Sequence, residues 1–549
     1  MTSTARRLPL VLIACAALVV ALGAAAATPA PTPRATAPGV TPPALAGLDA
    51  FVERARSEFD VPGIAVAVVK DGEVVLARGW GVRDLESGAP VEADTLFAIA
   101  SNTKAFTAAS LSMLADEGKL SLDDRVIEHL PWFRMSDPYV THEMRIRDLL
   151  AHRSGLGLGA GDLLYWPGTG YSTEEVARRL RDVPLEGSFR GQYAYDNILY
   201  GVAQLVIEKA SGQDFDAFLR TRILDPLGMR DTRYNSDALR DGDDVATGYA
   251  KADFKHTVPA PRVSWHNVSG AGGLYSNVLD MAKWMQMQLA GGTYLDAAGN
   301  EQRLFSEKRQ EAMWSVVTPM KIPNPSVPEL RAAKPNFLGY GEGWQLSDYR
   351  GHKLVWHTGG WPGMVSRLTL VPGHDLGVVV LTNAELAAPF QAITLRVLDA
   401  YLGAPETDWV AAYAASLAKA RDDAGEDWAK HVAARDARSK PSLPLEKYAG
   451  TYRDPWYGDV EVSREKGAMR LRMKPSPDLV GTLEHWQHDT FIVRWDARWL
   501  NADAFVNFSL DPDGAIRDVR MHAISPLTDF SFDFHDLRLA PVKDGQGSP

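Results

Sequence analysis

Apolar residues along the chain change period several times, and each change marks an element. Leu45 to Phe59 carries them at helical spacing. Ile64–Val69 and Glu73–Arg78 are then two β-rich runs joined by Asp71-Gly72, a strong hairpin signal. A helix is predicted from Ser101 to the glycine at 118. Ile146 to Tyr193 is Gly-rich and loop-like, broken at Trp166-Pro167-Gly168. Ile198–Ala210 and Leu279–Leu289 read as helices. Two late strands, Val365–Val371 and Leu376–Leu381, flank a turn at Pro372-Gly373, and a helix follows from Pro389 to Leu402. Strands at both ends of a long helical and loop insertion predict an α+β unit whose terminal segments share one antiparallel sheet. Ala404 to Pro444 is Ala/Asp/Lys/Arg-rich, partly helical, and reads as a connector. From Tyr448 the texture turns to short alternating strands: Arg470–Met473, Thr490–Trp495, Ala504–Leu510, Ile516–His522 and Asp529–Phe534. These predict a small antiparallel β-barrel or sandwich. The chain has no internal repeat.

At 549 residues the chain exceeds the size of one ordinary core, so two or more domains are expected. Its net charge of −11 disfavours nucleic acid as a partner, and no basic stripe offsets it. Arg6 and Arg7, the apolar run from Leu8 and the small residues Ala25-Ala26-Ala27 form the pattern of a secretory signal peptide at 1–27. A Pro/Ala/Thr-rich tether follows at 28–44. The expectation is export to a periplasm or beyond; an uncleaved anchor and a lipoprotein built on Leu12-Ile13-Ala14-Cys15 are the alternatives. The single cysteine lies inside the leader, which leaves a cleaved product without a disulfide framework, thiol nucleophile or Cys zinc site.

Candidate chemistry begins at Phe97-Ala98-Ile99-Ala100-Ser101-Asn102-Thr103-Lys104. Ser-x-x-Lys puts a hydroxyl and an amine on one helical face, one turn apart. At a helix start the amide dipoles favour negative charge on the Ser101 oxygen. Lys104 stands among Ala98, Ala105, Phe106 and Ala108, where desolvation would let a neutral amine accept a proton. Two other matches, Ser416–Lys419 and Ser463–Lys466, sit among polar residues and read as solvated surface. Tyr195-Asp196-Asn197 is the second element: a tyrosine near cations can become a phenolate and shuttle protons, and Asn197 can fix Lys104 and hold a substrate amide. A rival at Tyr275-Ser276-Asn277 is more simply a helix N-cap. The third is Trp356-His357-Thr358-Gly359-Gly360, where two glycines would let an extended substrate lie along a strand edge. There the N–H groups of Ser101 and Gly360 would form an oxyanion hole, with His357 holding a substrate carboxylate or supporting the Tyr195 proton.

In order and approximate spacing, Ser101-Asn102-Thr103-Lys104, Tyr195-Asp196-Asn197 and His357-Thr358-Gly359 resemble the three motifs of the penicillin-recognising serine hydrolases. That group includes class C beta-lactamases, D-alanyl-D-alanine carboxypeptidases, D-aminopeptidases and related esterases. Ile146 to Leu156 and Ala271-Gly272-Gly273-Leu274-Tyr275-Ser276 are similar to further landmarks of the family. The resemblance implies a helical domain beside a helix-flanked antiparallel sheet, with the site between them. It also implies attack by Ser101, an acyl-enzyme hydrolysed by water, a base role shared by Lys104 and Tyr195, substrate binding at Asn197, His357 and Thr358, and neither metal nor cofactor. His357 stands where class C beta-lactamases usually carry lysine, which weakens an antibiotic-resistance reading, and Asp196 replaces the commoner serine.

The division expected is a beta-lactamase-like domain at 45–403, a connector at 404–444, a barrel resembling the lipocalin-like module of related peptidases at 445–541, and a tail at 542–549. The function expected is hydrolysis of peptide (D-residue-containing) or small ester substrates. The alternatives are a beta-lactamase or penicillin-binding protein, and an inactive envelope binding protein. Substrate choice is expected to reside in loops Leu156–Tyr171 and Lys321–Asn336, and assembly into a homo-oligomer is left open. There is no Gly-x-Ser-x-Gly elbow and no His-Glu-x-x-His motif.

Overall fold

A computed structural model describes residues 41–543. The expected signal peptide, nearly all of the expected tether and most of the expected tail lie outside the described residues. Among those described, no helix is long and apolar enough to cross a membrane.

Helix α1 (Leu48–Glu58) leads into the hairpin β1 (Gly63–Lys70) and β2 (Glu73–Gly81). Asp71 and Gly72 both take positive φ, 53° and 78°, as a two-residue turn matched to strand twist requires. Helices α2 (Thr103–Asp116), α3 (Ile198–Ser211) and α4 (Val278–Leu289) follow within the long insertion. The chain then re-enters the sheet through β3 (Thr318–Pro319), β4 (Leu338–Tyr340), β5 (Gln345–Tyr349), β6 (His352–Trp361), β7 (Met364–Val371) and β8 (Leu376–Thr382). All pairings are antiparallel, in the order β2-β1-β8-β7-β6-β5-β4-β3. The first hairpin therefore closes against the last strand, as the sequence pattern predicts.

Because β1 is buried on both faces, it reads as a continuous apolar run although its neighbours are antiparallel. Ile64, Val66 and Val68 pack with α1 and with α5 (Ala387–Leu402) through Phe390, Ile393 and Leu398. Ala65, Ala67 and Val69 belong to the opposite core, with α2 and α4, where Phe106 stacks on Trp284 at 3.8 Å between ring centroids. Each such fully buried large side chain contributes roughly 1.5–3 kcal/mol. This double burial fixes α2, and with it Ser101, against the sheet.

The expected connector contains the 26-residue helix α6 (Trp409–Ala434), whose Trp428 meets Trp486. Strands β9 (Gly450–Asp454), β10 (Gly458–Glu465), β11 (Ala468–Met473), β12 (Val480–Gln487), β13 (Thr490–Trp495), β14 (Ala504–Leu510), β15 (Ile516–Ala523) and β16 (Ala540–Pro541) follow. They pair in the order β15-β14-β13-β12-β11-β10-β9-β16, and a bridge from Val519 to Leu539 nearly closes a barrel. One expected strand is absent. Asp529–Phe534 forms turns that lead into a short 3-10 helix, Phe534–Asp536. Two of its polar side chains, Ser531 and Asp533, are buried: the Asp533 carboxylate accepts the Gly161 and Leu163 N–H groups at 2.7 and 3.1 Å.

Candidate active site

Ser101 occupies a one-turn 3-10 helix, Ala100–Asn102, immediately ahead of α2. Ala100 takes a left-handed φ of +45°, a conformation costing about 1 kcal/mol or more for a residue with a Cβ. Strands β6 and β7 hold the turn there. The Ser366 hydroxyl donates to the Ile99 carbonyl and accepts from the Asn102 amide, both at 2.8 Å. A Cβ at Gly359 would lie 2.1 Å from the Ile99 oxygen. Gly359 is therefore where the strand accepts the Ser101 turn, and it is not an open edge for substrate. The Cβ position of Gly360 meets nothing, and that residue lines the cleft with Ser101.

Lys104 is fully buried, and its ammonium lies 2.9 Å from the Ser101 oxygen, 2.6 Å from Asn197 Oδ1 and 2.9 Å from the Ala271 carbonyl. Burial lowers its pKa to about 7, against the pull of Asp162 and Asp196, which support the charged form. A neutral amine has two hydrogens and one lone pair. Asn197 and Ala271 present only acceptor oxygens, so they take the hydrogens, and the remaining tetrahedral position faces the Ser101 hydroxyl.

Tyr195 lies in the turn before α3. It lines the cleft beside Ser101, and the Lys104 nitrogen stands 4.9 Å over its ring. Burial holds its phenol well above the ordinary tyrosine range, so Tyr195 rests protonated and is not the phenolate the sequence suggests. The stretch Ile146–Leu156 pins this turn. The His152 carbonyl accepts from Ala194 N–H, and His152 Nδ1 from Asp196 N–H. The His152 ring is 4.2 Å from that of Tyr195, and the Tyr200 hydroxyl donates to Leu150. Asp196 is buried with its carboxyl raised to about 7 by desolvation, accepting from the Ser154 hydroxyl at 3.2 Å.

His357 is buried and neutral, its pKa lowered to about 3 by desolvation and then by Lys104. Nδ1–H donates to the Thr358 carbonyl at 2.6 Å, which leaves Nε2 to accept from the Tyr340 hydroxyl at 2.9 Å. A neutral ring with both nitrogens engaged supplies no charge for a substrate carboxylate, and that expected role falls away. Asn197 holds Lys104 with its carbonyl and Asp162 with one amide N–H at 2.8 Å, so it positions the lysine, and it also lines the cleft. Thr358 remains half-buried on the cleft wall. The rival Tyr275 is buried away from Ser101, and Asn277 caps α4 by accepting Asp280 N–H at 2.8 Å.

The cleft has a volume of about 300 Å³. Ser101, Tyr195, His357 and Gly360 line one part; Leu158, Tyr165, Trp166 and Trp265 line another. Residues 321–336, expected at the cleft, do not reach it. Their place is taken by Asp529, Phe530 and Ser531 from the barrel, with the Phe530 ring edge-on to Tyr195 at 5.9 Å. Asp162 and these barrel residues are the participants that sequence reasoning missed. Asp529-Phe530-Ser531 reads as an ordinary amphipathic strand, and no local signal marks Asp162 in its glycine-rich loop. Among the described lining residues there is no lysine or arginine.

An antiparallel sheet flanked by helices, with the Ser101 turn beside a buried lysine, matches the class of serine hydrolases that penicillin-binding proteins share. The beta-lactamase family profile matches residues 48–402, and the chain belongs to that family. A domain of unknown function, DUF3471, matches residues 434–541. The unguisins hydrolase ungD of Aspergillus violaceofuscus is 29% identical over 501 residues, covering 85% of this chain and 86% of that protein. Protein flp of Staphylococcus aureus strain MW2 is 26% identical over 337 residues, covering 61% and 62%. Among solved structures, the octameric penicillin-binding protein homologue from Pyrococcus abyssi superposes with a TM-score of 0.58 at 24% identity, covering 90% of this chain and 99% of that one. SurE superposes at 0.52 with 19% identity, covering 91% and 99%.

Proposed function

We propose that this protein hydrolyses peptides (D-residue-containing) or small esters through an acyl-enzyme on Ser101, with substrates that lack a free carboxylate beside the scissile bond. The observation that carries this reading is the three-point seating of the Lys104 nitrogen, which leaves its lone pair for the Ser101 proton. Lys104 takes that proton as the Ser101 oxygen bonds to the substrate carbonyl carbon. The Ser101 and Gly360 N–H groups receive the oxyanion. The proton passes by way of the Tyr195 hydroxyl to the leaving nitrogen or oxygen as its bond to carbon breaks. Water then attacks the acyl carbon, giving one proton to the same pair, and Ser101 recovers its hydrogen.

Charge supports the substrate restriction. The cleft offers the Asp529 carboxyl, whose pKa desolvation raises, and a neutral His357, and among the described residues no cation lines it to receive an anion. This disfavours penicillin-like compounds and carboxypeptidase substrates, whose carboxylates need such a partner. The relative named as an unguisins hydrolase supports hydrolysis in general terms. The N-terminal pattern supports action outside the cytoplasm.

A panel tests the reading: D- and L-aminoacyl anilides, D-alanyl-D-alanine peptides as free acids and as amides, p-nitrophenyl esters, and nitrocefin. Anilides, esters or amidated peptides should be turned over, with each free acid slower than its amide. Fast nitrocefin turnover, or stable labelling by penicillin, contradicts it.

A further inference from the structure

The cleft wall built by the barrel does more than narrow the opening, because two of its side chains act on the loop that carries Asp162. The Ser531 hydroxyl donates to Asp162 Oδ2 at 2.9 Å, and both residues are buried. The same oxygen accepts the Asn197 amide at 2.8 Å, and Asn197 Oδ1 accepts from Lys104 at 2.6 Å. Asp533, also buried, binds the N–H groups on either side of Asp162, those of Gly161 and Leu163. An unbroken chain of hydrogen bonds thus runs from the barrel through Asp162 and Asn197 to the amine beside Ser101.

We propose that Ser531 is a positioning residue for catalysis: through Asp162 and Asn197 it sets both the orientation and the proton affinity of Lys104. The proposal rests on reading Ser101 and Lys104 as nucleophile and base. Asn197 can accept from Lys104 only with its amide oxygen turned toward it, and Asp162, an acceptor, holds the opposite nitrogen. The Ser531 hydrogen bond favours the ionised form of Asp162, whose negative charge in turn favours the protonated form of Lys104. The other titratable groups facing Asp162 are Tyr195 and Asp196 ahead of α3, Tyr165 on its own turn, and Asp533. None of them is a cation, so Lys104 is the charge that responds when Asp162 changes.

The sign follows. Without the Ser531 hydroxyl, Asp162 ionises less readily, Lys104 loses support for its ammonium and gives up its proton at lower pH. Fluorophosphonate labelling of Ser101 in the full-length protein, followed from pH 5 to 10, reads this without a known substrate. In Ser531→Ala the acid limb should move to lower pH, and the plateau kinact should fall about fivefold to tenfold with KI little changed. Thr528→Ala removes a neighbouring tie of the same segment, to the Asn501 carbonyl, and should leave both untouched. Asp162→Asn should move the limb the same way, and Ser531→Ala added to it should move it no further. An unmoved limb in Asp162→Asn or Ser531→Ala, or an equal shift in Thr528→Ala, overturns the proposal. If the unaltered protein is not labelled at Ser101 at all, it is the assignment of nucleophile and base that fails.

Discussion

An ammonium stripped of water gives up its proton more readily, and at Lys104 this effect outweighs two nearby carboxyl groups and brings the pKa to about 7. Asp162 and Asp196 are raised to about 7 by the same desolvation, so the three groups titrate as a cluster. As the proposed base, Lys104 must be neutral to act, so kcat/KM should rise as pH climbs through about 7 and then level off. Lys104→Ala should remove that limb together with about a hundredfold or more of activity. A flat profile between pH 5 and 9 in the unaltered protein would count against Lys104 as base. Tyr195 carries a different prediction because its phenol rests protonated. Tyr195→Phe should cost an anilide about a hundredfold but a p-nitrophenyl ester much less, since p-nitrophenolate leaves without a proton. Equal losses on the two substrates would remove the relay from the mechanism.

At the scale of elements, two adjacent glycines divide the work of β6. A Cβ at 359 meets the Ile99 carbonyl, whereas one at 360 meets open space. Gly359→Ala should therefore lower Tm and displace Ser101, at a cost of roughly 1–3 kcal/mol, while Gly360→Ala should leave Tm essentially unchanged. Thermal melts of the two variants decide it. Most of this architecture is legible in the sequence. The hairpin at Asp71-Gly72, the helices at 198 and 279 and the strands at 365 and 376 all announce themselves by period and turn chemistry, because each buries one face or both. The Ser-x-x-Lys spacing likewise places hydroxyl and amine together, since one helical turn fixes their distance. The Asp529–Phe534 segment does not announce itself. Its alternation of acid, phenylalanine and serine has the period of a strand, yet Ser531 and Asp533 bind another part of the chain. A pattern along the sequence reports that alternate positions differ, and cannot say what each faces. The neutrality of His357 is hidden for the same reason, being set by Tyr340 and the Thr358 carbonyl and not by its sequence neighbours.

Across the whole molecule, the barrel and the helix-flanked sheet both line the cleft at Ser101. Tyr171 donates to the Tyr457 carbonyl at 2.8 Å, Arg179 to that of Trp456 at 2.9 Å, and Asn501 to that of Lys251 at 2.9 Å, so the contact extends well beyond the cleft. Asp533 is its buried polar centre. Asp533→Ala leaves the Gly161 and Leu163 N–H groups without their acceptor, at a cost of about 1–3 kcal/mol. Hydrogen exchange should then quicken at 159–165 and 529–536 while β1 and β8 stay protected; unchanged exchange in both segments would show that the joint is held elsewhere. The proposed chemistry stands or falls with the Ser101 oxygen as nucleophile. Intact-mass analysis of the full-length protein after fluorophosphonate treatment, with peptide mapping of the adduct, tests it most directly. One adduct on Ser101, absent from a folded Ser101→Ala variant, is the result expected. Undiminished labelling of that variant, or an adduct mapped to any other residue, would contradict it.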